Sequence, residues 1–240
     1  MTELRERSTG TERPPVGLEA LDDPSLDRRI ARATLRDIAR ANRYFGGSAA
    51  VAYGVRRVLH GRPPSTVTIL DVGAGAGDVL AWLQRSLARQ GVSAVGMAVD
   101  WHREAATMAR ERGQEALVGD AHALPFGDSS LDIVVASQLL HHCSEAGSVR
   151  LVRELDRVAR VGVVVADLQR AQLAVWGIWL AATVLRFHPV SRADGVVSVR
   201  RGFTTRELAG VCGAAGVEAT ICRRPGYRVV AFWRCNRAHG

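Results

Sequence analysis

A glycine-rich segment that follows an apolar run is the feature that most constrains what this chain can fold into. Residues 67–72 are mostly β-branched or aliphatic, which favours a buried strand. Gly73, Gly75 and Gly77 follow at once, and a helix is predicted to begin near Asp78. Such a turn directs the free N–H groups of the helix start toward a ligand above the carboxyl edge of the strand. The sequence therefore predicts a strand–turn–helix unit that binds a ligand at this edge.

The spacing of the glycines distinguishes between two classes of ligand. A dinucleotide-binding turn needs glycine at its first, third and sixth positions. Counted from Gly73, the sixth position is Asp78, and the glycine falls at the fifth. An acidic residue at the helix start suits a ligand with a cationic group better than a pyrophosphate. A dinucleotide is therefore the less favoured ligand.

Residues 71–77 resemble the first motif of the class I S-adenosylmethionine-dependent methyltransferases, acidic-x-Gly-x-Gly-x-Gly. One βα unit later a second apolar strand is predicted to end at Asp100. A third leads into residues 119–126, which resemble the family segment Gly-Asp-Ala-x-x-Leu-Pro-Phe. The resemblance implies S-adenosyl-L-methionine as cofactor, with Asp100 at the ribose and Asp120 at the adenine. An alternative for Asp100 is to cap the helix that follows it. The candidate cofactor-binding residues are Asp71, Gly73, Ala74, Gly75, Gly77, Asp100, Trp101, Asp120, Ala121 and Ser137.

The resemblance also implies that the methyl acceptor lies at the end of a fourth strand, predicted at residues 131–137. His141 and His142 follow this strand, and either could act as a general base because the imidazole pKa lies near working pH. The alternative is that they hydrogen-bond the backbone or contact the cofactor. The Asn/Asp-Pro-Pro-aromatic tetrapeptide of enzymes that methylate amino groups of nucleic-acid bases is missing here. The candidate substrate-binding residues are Tyr44, Gln138, His141, Trp176 and Arg200.

The whole pattern predicts one α/β domain with a Rossmann-like, doubly wound, seven-stranded sheet. Residues 1–24 are polar and are expected to be a flexible tail, and residues 25–240 are expected to form the domain. Within it, residues 25–62 are predicted as an N-terminal helical cap and 168–203 as a lid-like helical insertion. The strongly apolar segment 171–187 is interpreted as a lid over an apolar acceptor; a subunit interface or a membrane contact is the alternative.

Charge and cysteine content bear on possible partners. The net charge is +8, and all 32 basic residues are arginines scattered along the chain, so nucleic-acid binding is not expected. The four cysteines have no metal-binding spacing, and no metal is expected. No secretory signal and no transmembrane segment are predicted, which favours a cytoplasmic location. A homodimer is one possibility.

These observations predict an S-adenosylmethionine-dependent methyltransferase that acts on a small, largely apolar acceptor. The resemblance favours O-methylation of a phenolic or polyketide-like hydroxyl in bacterial secondary metabolism. Three alternatives remain open: C-methylation of a quinone or polyketide carbon, methylation of RNA, and an NAD-binding Rossmann protein.

Overall fold

The fold was obtained as a computed structural model, which describes residues 17, 19–23, 25–60 and 64–235. The strands are β1 Thr66–Val72, β2 Ser93–Asp100, β3 Glu115–Val118, β4 Leu131–Ser137, β5 Ala159–Leu168, β6 Thr220–Arg224 and β7 Arg228–Arg234. The α-helices are α1 Arg28–Tyr44, α2 Gly47–Val58, α3 Asp78–Ala88, α4 Arg103–Glu111, α5 Glu145–Val158, α6 Gln172–Val184, α7 Pro189–Arg201 and α8 Thr205–Ala215. Short 3-10 helices occur at Ala20–Asp22 and Leu140–His142.

The strands form one seven-stranded sheet in the order β3-β2-β1-β4-β5-β7-β6. Strands β1 to β5 pair in parallel, and β7 lies antiparallel between β5 and β6. The strand order reverses between β1 and β4, which opens a crevice at their carboxyl ends. The predicted doubly wound fold is confirmed, and the crevice is where a ligand is expected.

Successive side chains of each strand pack into two separate cores, as the period of a strand requires. Ile69 packs on one face with apolar residues of α2, α3 and α4. Leu70 packs on the other face with apolar residues of α5 and α8. Both faces of the sheet are therefore buried, which explains why the central strands are almost continuously apolar.

Helices α8 and α2 begin in different ways. Thr204 and Glu207 form a capping box before α8. Helix α2 begins at Gly47, after a left-handed Gly46, and has no side-chain cap. A Cβ added at Gly226, in the turn between β6 and β7, would lie 2.1 Å from the Phe45 carbonyl oxygen. This turn therefore packs tightly on the junction of α1 and α2, and only glycine fits.

The predicted flexible tail differs from the structure over residues 19–23. These residues form the first 3-10 helix, in which the Ala20 amide donates to Asp194 of α7 at 3.1 Å. Most of the remaining tail, residues 1–16, 18 and 24, lies outside the described residues. The sequence pattern missed this segment because its ordering comes from long-range polar contacts and not from local periodicity.

The apolar insertion is helical, but α6 does not cover the crevice with its tryptophans. Trp176 is 66% exposed, and Leu173, Trp179, Leu180 and Val184 are exposed as well. Its inner side packs Ala174, Val175 and Ile178 near Leu168 and Val199. Within the described part of the chain, no helix is long and apolar enough to cross a membrane.

Candidate functional site

A cavity of about 290 Å³ lies at the carboxyl ends of β1, β2 and β4. The turn between β1 and α3 forms its floor, with Gly73, Gly75 and Gly77 at φ of 68°, 53° and 72°. A Cβ at Gly77 would lie 3.0 Å from the Cβ of Ala109, so this glycine also lets α4 pack closely. The turn adopts the left-handed backbone that the three glycines predicted.

Three carboxylates surround this turn, and burial raises the pKa of each one. Asp71 is almost fully buried, and neither of its oxygens accepts a well-formed hydrogen bond from a described residue. Burial and the nearby Asp78 and Asp100 raise its pKa well above the usual range, and the Leu80 amide offsets this only in part. The pKa of Asp78 is also raised by burial, although Asn42 donates to its Oδ2 at 3.1 Å.

Asp100 lies at the end of β2 and faces the same cavity. One of its oxygens accepts from the Gly75 amide at 2.8 Å and the other from the His102 amide at 2.9 Å. Burial nevertheless raises its pKa above the usual value. His102, and not Asp100, caps α4, because its Nδ1 accepts from the Glu104 amide. The predicted alternative role of Asp100 as a cap is therefore not what the structure shows.

The unpaired carboxylates provide a test of whether the site fits S-adenosyl-L-methionine. Buried anions without cationic partners are costly, and a ligand with ammonium and sulfonium groups would neutralise them. Ribose hydroxyls could donate to a carboxylate such as Asp100. Asp120, Ala121 and Trp101 line the outer part of the cavity, with Asp120 exposed and its Oδ1 accepting from the His122 amide. The residues present therefore fit the cofactor that the sequence motifs imply.

A buried histidine–carboxylate pair lies at the end of β4 and β5. The Nδ1 of His141 lies 2.7 Å from Oδ1 of Asp167, and both side chains are buried. Its Nε2 has no hydrogen-bond partner among the described residues and lies 3.5 Å from Oε1 of Glu19. Burial lowers the pKa of His141, but Asp167 and Glu19 outweigh it and raise this pKa to about 10. His141 holds the pKa of Asp167 below its usual range in spite of burial.

His142 occupies a different environment from His141. It is half-buried, and its Nδ1 contacts Oδ1 of Asp22 at 2.9 Å. Its Nε2 lies 3.8 Å from Oε2 of Glu19. Side-chain atoms of Glu19, His141 and His142 lie within 4.8 Å of one another, a spacing that could admit a metal ion. The Arg201 guanidinium lies 3.5 Å from Oε1 of Glu19, and this positive charge disfavours a divalent cation there.

The structure brings together most of the residues singled out from the sequence and leaves three apart. The cavity lining includes Asp71, Gly73, Ala74, Gly75, Asp100, Trp101, Asp120, Ala121, Ser137, Gln138, His141 and His142. Gly77 shapes the turn beneath it. Tyr44, Trp176 and Arg200 are exposed and do not line it, which argues against their predicted roles in substrate binding. Each was chosen for its residue type, and the pattern could not show which way the side chain points.

Three residues at the centre of the site were not predicted from the sequence. Glu19 and Asp22 were assigned to the flexible tail, and nothing in the local sequence linked them to His141. Asn42 lies within the predicted helical cap and had no assigned role; it contacts both Asp78 and the side chain of Gln138. The position of Asp167 at the end of an apolar strand was the one signal that could have identified it as a partner for the histidines.

Fold and site together define a class of protein. A seven-stranded doubly wound sheet, with carboxylates around a glycine turn at the switch point, is what the resemblance to class I methyltransferases predicted. Residues 70–166 match the family model described as a methyltransferase domain. Residues 70–166 are thus similar to a methyltransferase domain, and S-adenosyl-L-methionine is the cofactor that this similarity and the residues of the site support.

Individual relatives agree with this class. A demethylmenaquinone methyltransferase of Roseiflexus sp. (strain RS-1) is 36% identical over 114 residues, 46% of this chain and 45% of the relative. A ubiquinone/menaquinone biosynthesis C-methyltransferase of Desulfotalea psychrophila is 31% identical over 99 residues, 41% of this chain and 39% of the relative. The chain spans about half the length of the curated relatives it matches first.

Solved structures show the same fold. The crystal structure of a SAM-dependent methyltransferase from Aquifex aeolicus aligns with a TM-score of 0.61. The alignment covers 89% of this chain and 98% of that one, at 18% identity. At this level of identity the likeness shows the fold alone.

Proposed function

We propose that this protein transfers a methyl group from S-adenosyl-L-methionine to a hydroxyl oxygen of a small, largely apolar acceptor. The observation that carries the proposal is the His141–Asp167 pair, whose Nε2 lies beside Glu19 in the lining of the cavity that also contains the glycine turn. When bound, the cofactor supplies an electrophilic methyl group. Apart from the cofactor, the reaction needs an acceptor hydroxyl held close to the methyl group, a pocket that excludes water and a residue that takes the acceptor proton.

His141 is suited to take that proton. Asp167 holds the imidazole by Nδ1, so Nε2, which lies 3.5 Å from Oε1 of Glu19, is the nitrogen left to take a proton from the acceptor. When the methyl group is transferred, the hydroxyl proton of the acceptor would pass to Nε2 of the neutral imidazole. Because the pKa of His141 is raised to about 10, the neutral imidazole forms only as the pH rises toward that value, so methyl transfer is expected to be faster at alkaline pH.

The surroundings of the pair favour an apolar acceptor. Leu21, Leu35, Ile38 and Leu139 line the cavity beside the polar groups. An aromatic or aliphatic body would displace water from these side chains and gain about 25 cal/mol for each Å² of apolar surface buried. A phenolic or polyketide-like compound has both the apolar body and the acidic hydroxyl that this arrangement requires.

A second candidate is C-methylation, which the relatives support by name. One relative is a demethylmenaquinone methyltransferase, and another is a ubiquinone/menaquinone biosynthesis C-methyltransferase. A carbon of an acidic phenol or quinol also loses a proton when it is methylated, so the same histidine pair would serve. The two candidates differ in the atom that carries the new methyl group.

Product analysis separates these candidates. The protein is incubated with S-adenosyl-L-methionine carrying a ¹³C-labelled methyl group and a panel of alkyl phenols and naphthoquinols. We expect a single product with the carbon shift of an O-methyl group near an aromatic ring. A shift typical of an aryl C-methyl group would favour the second candidate. No labelled product from any member of the panel, together with no binding of S-adenosylhomocysteine by calorimetry, would contradict the proposed function.

A further inference from the structure

A second, smaller cavity adjoins the first and is lined by a buried arginine that forms no salt bridge with a described carboxylate. It has a volume of about 80 Å³ and shares the lining residues Glu19, Leu21, Ile38, Gln138 and Ser198 with the main cavity. Leu168, Ile178, Phe187 and Val199 form an apolar wall on its other side. The two cavities therefore adjoin at these shared residues, with the His141–Asp167 pair on one side and α6 and α7 on the other.

Arg228, the first residue of β7, lines this second cavity and is only 3% exposed. Its Nε donates to the Phe45 carbonyl oxygen at 3.3 Å, whereas its NH1 group has no hydrogen-bond partner among the described residues. In the part of the chain that the structure describes, no carboxylate oxygen forms a salt bridge with this guanidinium. Burial lowers the pKa of Arg228 to about 10, with Asp167 acting in the opposite direction, so the side chain remains charged at neutral pH.

The acidic groups around this cavity are already engaged elsewhere. Asp37 contacts Arg40 at 3.1 Å and accepts from the His188 amide at 2.7 Å. Glu19 faces His141 and Arg201. Asp194 accepts from the Ala20 amide, and burial raises its pKa to about 6. Arg228 is thus a cation without a matched anion in this cavity.

An unpaired buried charge is costly to a fold, and a ligand that pairs with it gains affinity. The hydroxyl groups of Thr34 and Ser191 also belong to the lining of the second cavity, and both are buried without a hydrogen-bond partner among the described residues. A ligand with an apolar body and one anionic oxygen would satisfy the guanidinium and fill the apolar wall at the same time.

We infer that this second cavity binds the distal end of the methyl acceptor, and that Arg228 pairs there with an anionic oxygen, such as a carboxylate. This inference rests on the proposed function and narrows its substrate class to apolar acids. Arg228 of β7 pairs in the sheet with Leu168 of β5, and Leu168 directly follows Asp167. The guanidinium and the His141–Asp167 pair therefore lie at neighbouring positions of the β5–β7 strand pair.

The test compares two probes that differ in one group, 4-butylbenzoate and 4-butylbenzyl alcohol. Their binding is measured by calorimetry on the full chain at pH 7.5, with S-adenosylhomocysteine added to occupy the cofactor site. We expect the wild type to bind the benzoate at least tenfold more tightly than the alcohol. Arg228→Met should bring the two affinities within twofold of each other, and Arg228→Lys should keep part of the preference.

Arg223→Met is the matched control, because it removes an exposed arginine from the neighbouring strand of the same hairpin. It should leave the tenfold preference unchanged. Circular dichroism checks that each variant is folded, and Arg228→Gln replaces Arg228→Met if the latter is not. Equal binding of both probes by the wild type, binding of neither, or an undiminished preference in the neutral variant overturns the inference.

The proposed function is assessed separately in the same samples. S-adenosylhomocysteine binding and methyl transfer to the phenol panel do not depend on the benzoate preference. A protein that binds S-adenosylhomocysteine but shows no benzoate preference contradicts only the role of Arg228.

Discussion

At the scale of single residues, the carboxylates around the glycine turn should control cofactor affinity. Asp100→Ala removes a buried hydrogen-bond acceptor that faces the cavity. A hydrogen bond to a charged group contributes about 1.5–3 kcal/mol, so S-adenosylhomocysteine should bind roughly 10- to 100-fold more weakly. Asp120→Ala should have a smaller effect because this side chain is exposed. Isothermal calorimetry measures both.

Asp128→Ala is the control for these two variants, since its carboxylate is exposed and contacts Arg157 away from the cavity. It should bind S-adenosylhomocysteine like the wild type. If neither Asp100→Ala nor Asp120→Ala weakens binding, the assignment of the cofactor site is wrong.

A second prediction at this scale concerns Glu19, which the sequence did not single out. Its carboxylate helps to keep His141 protonated, so Glu19→Gln should lower the pKa of His141 from about 10. If neutral His141 takes the acceptor proton, the wild-type kcat/KM rises with pH up to that pKa. The rising limb should then move to lower pH in Glu19→Gln. A pH profile that is identical in both proteins would contradict the role of His141 as the base.

His142 gives the comparison variant for this profile. It contacts Asp22 through Nδ1 and is half-buried. His142→Gln should therefore change the maximal kcat/KM more than the pH at which kcat/KM reaches half of its maximum. His141→Gln should remove the rising limb altogether. The two profiles together show which of the two histidines takes the acceptor proton, a question that the sequence left open.

At the scale of elements, α6 is where residue types in the sequence were most misleading. Its apolar composition predicted a lid, and its inner side does border the second cavity through Ile178. Its tryptophans, however, face outward. A helix that is apolar on most sides has no periodicity from which its orientation can be predicted, so the buried side could be found only from the packing of the neighbouring helix α7.

This orientation leads to a prediction about α6. The double variant Trp176→Ser and Leu180→Ser should change the free energy of unfolding by no more than about 0.5 kcal/mol, because both side chains are exposed. Urea titration measures this change. Ala182→Leu is the contrasting variant, since Ala182 is almost fully buried and overpacking costs about 1–3 kcal/mol. A large loss of stability in the double variant would indicate that these side chains are buried in solution, as a lid or a subunit interface requires.

The elements that could be predicted from the sequence share one property: their signals are local. The strand before Gly73, the strand before Asp100 and the capping box at Thr204 each depend on residues within a few positions. The 3-10 helix at Ala20–Asp22 does not, because its contacts to His142, Asp194 and Arg201 span more than a hundred residues. Long-range polar contacts leave no pattern in a single sequence, and for this reason Glu19 was missed.

At the scale of the whole molecule, ligand binding should stabilise the fold in a selective way. A ligand that binds only the folded state at one hundred times its Kd adds about 2.7 kcal/mol to the free energy of unfolding. For a chain of this length, S-adenosylhomocysteine at that level should raise Tm by roughly 5–10 °C. NAD at the same concentration should leave Tm unchanged, because the glycine spacing and Asp78 do not suit a pyrophosphate. A rise in Tm with NAD and no rise with S-adenosylhomocysteine would favour the NAD-binding alternative.

The homodimer and the absence of nucleic-acid binding stay predictions.

The stability of the whole chain should also depend on pH through the buried histidine. The pKa of His141 is about 10 in the folded state, above its ordinary value of 6.5, so the protonated ring stabilises the fold. This contribution is fully present below pH 6.5 and is progressively lost as the pH rises toward 10. Between pH 6.5 and 9 it should account for a loss on the order of a few kcal/mol in the free energy of unfolding, since each unit of pKa shift corresponds to about 1.4 kcal/mol.

The variant His141→Gln isolates this effect, because it keeps a polar side chain of similar size but cannot titrate. It should be less stable than the wild type at pH 6.5, since Asp167 would lose its charged partner. The difference between the two proteins should shrink steadily toward pH 9, because folding of the wild type then requires uptake of a proton that the unfolded chain no longer holds. Urea titrations at intervals of half a pH unit measure the difference. A gap that stays constant across this range would mean that His141 is not protonated in the folded protein, and the ion pair with Asp167 would then have to be replaced by a neutral hydrogen bond.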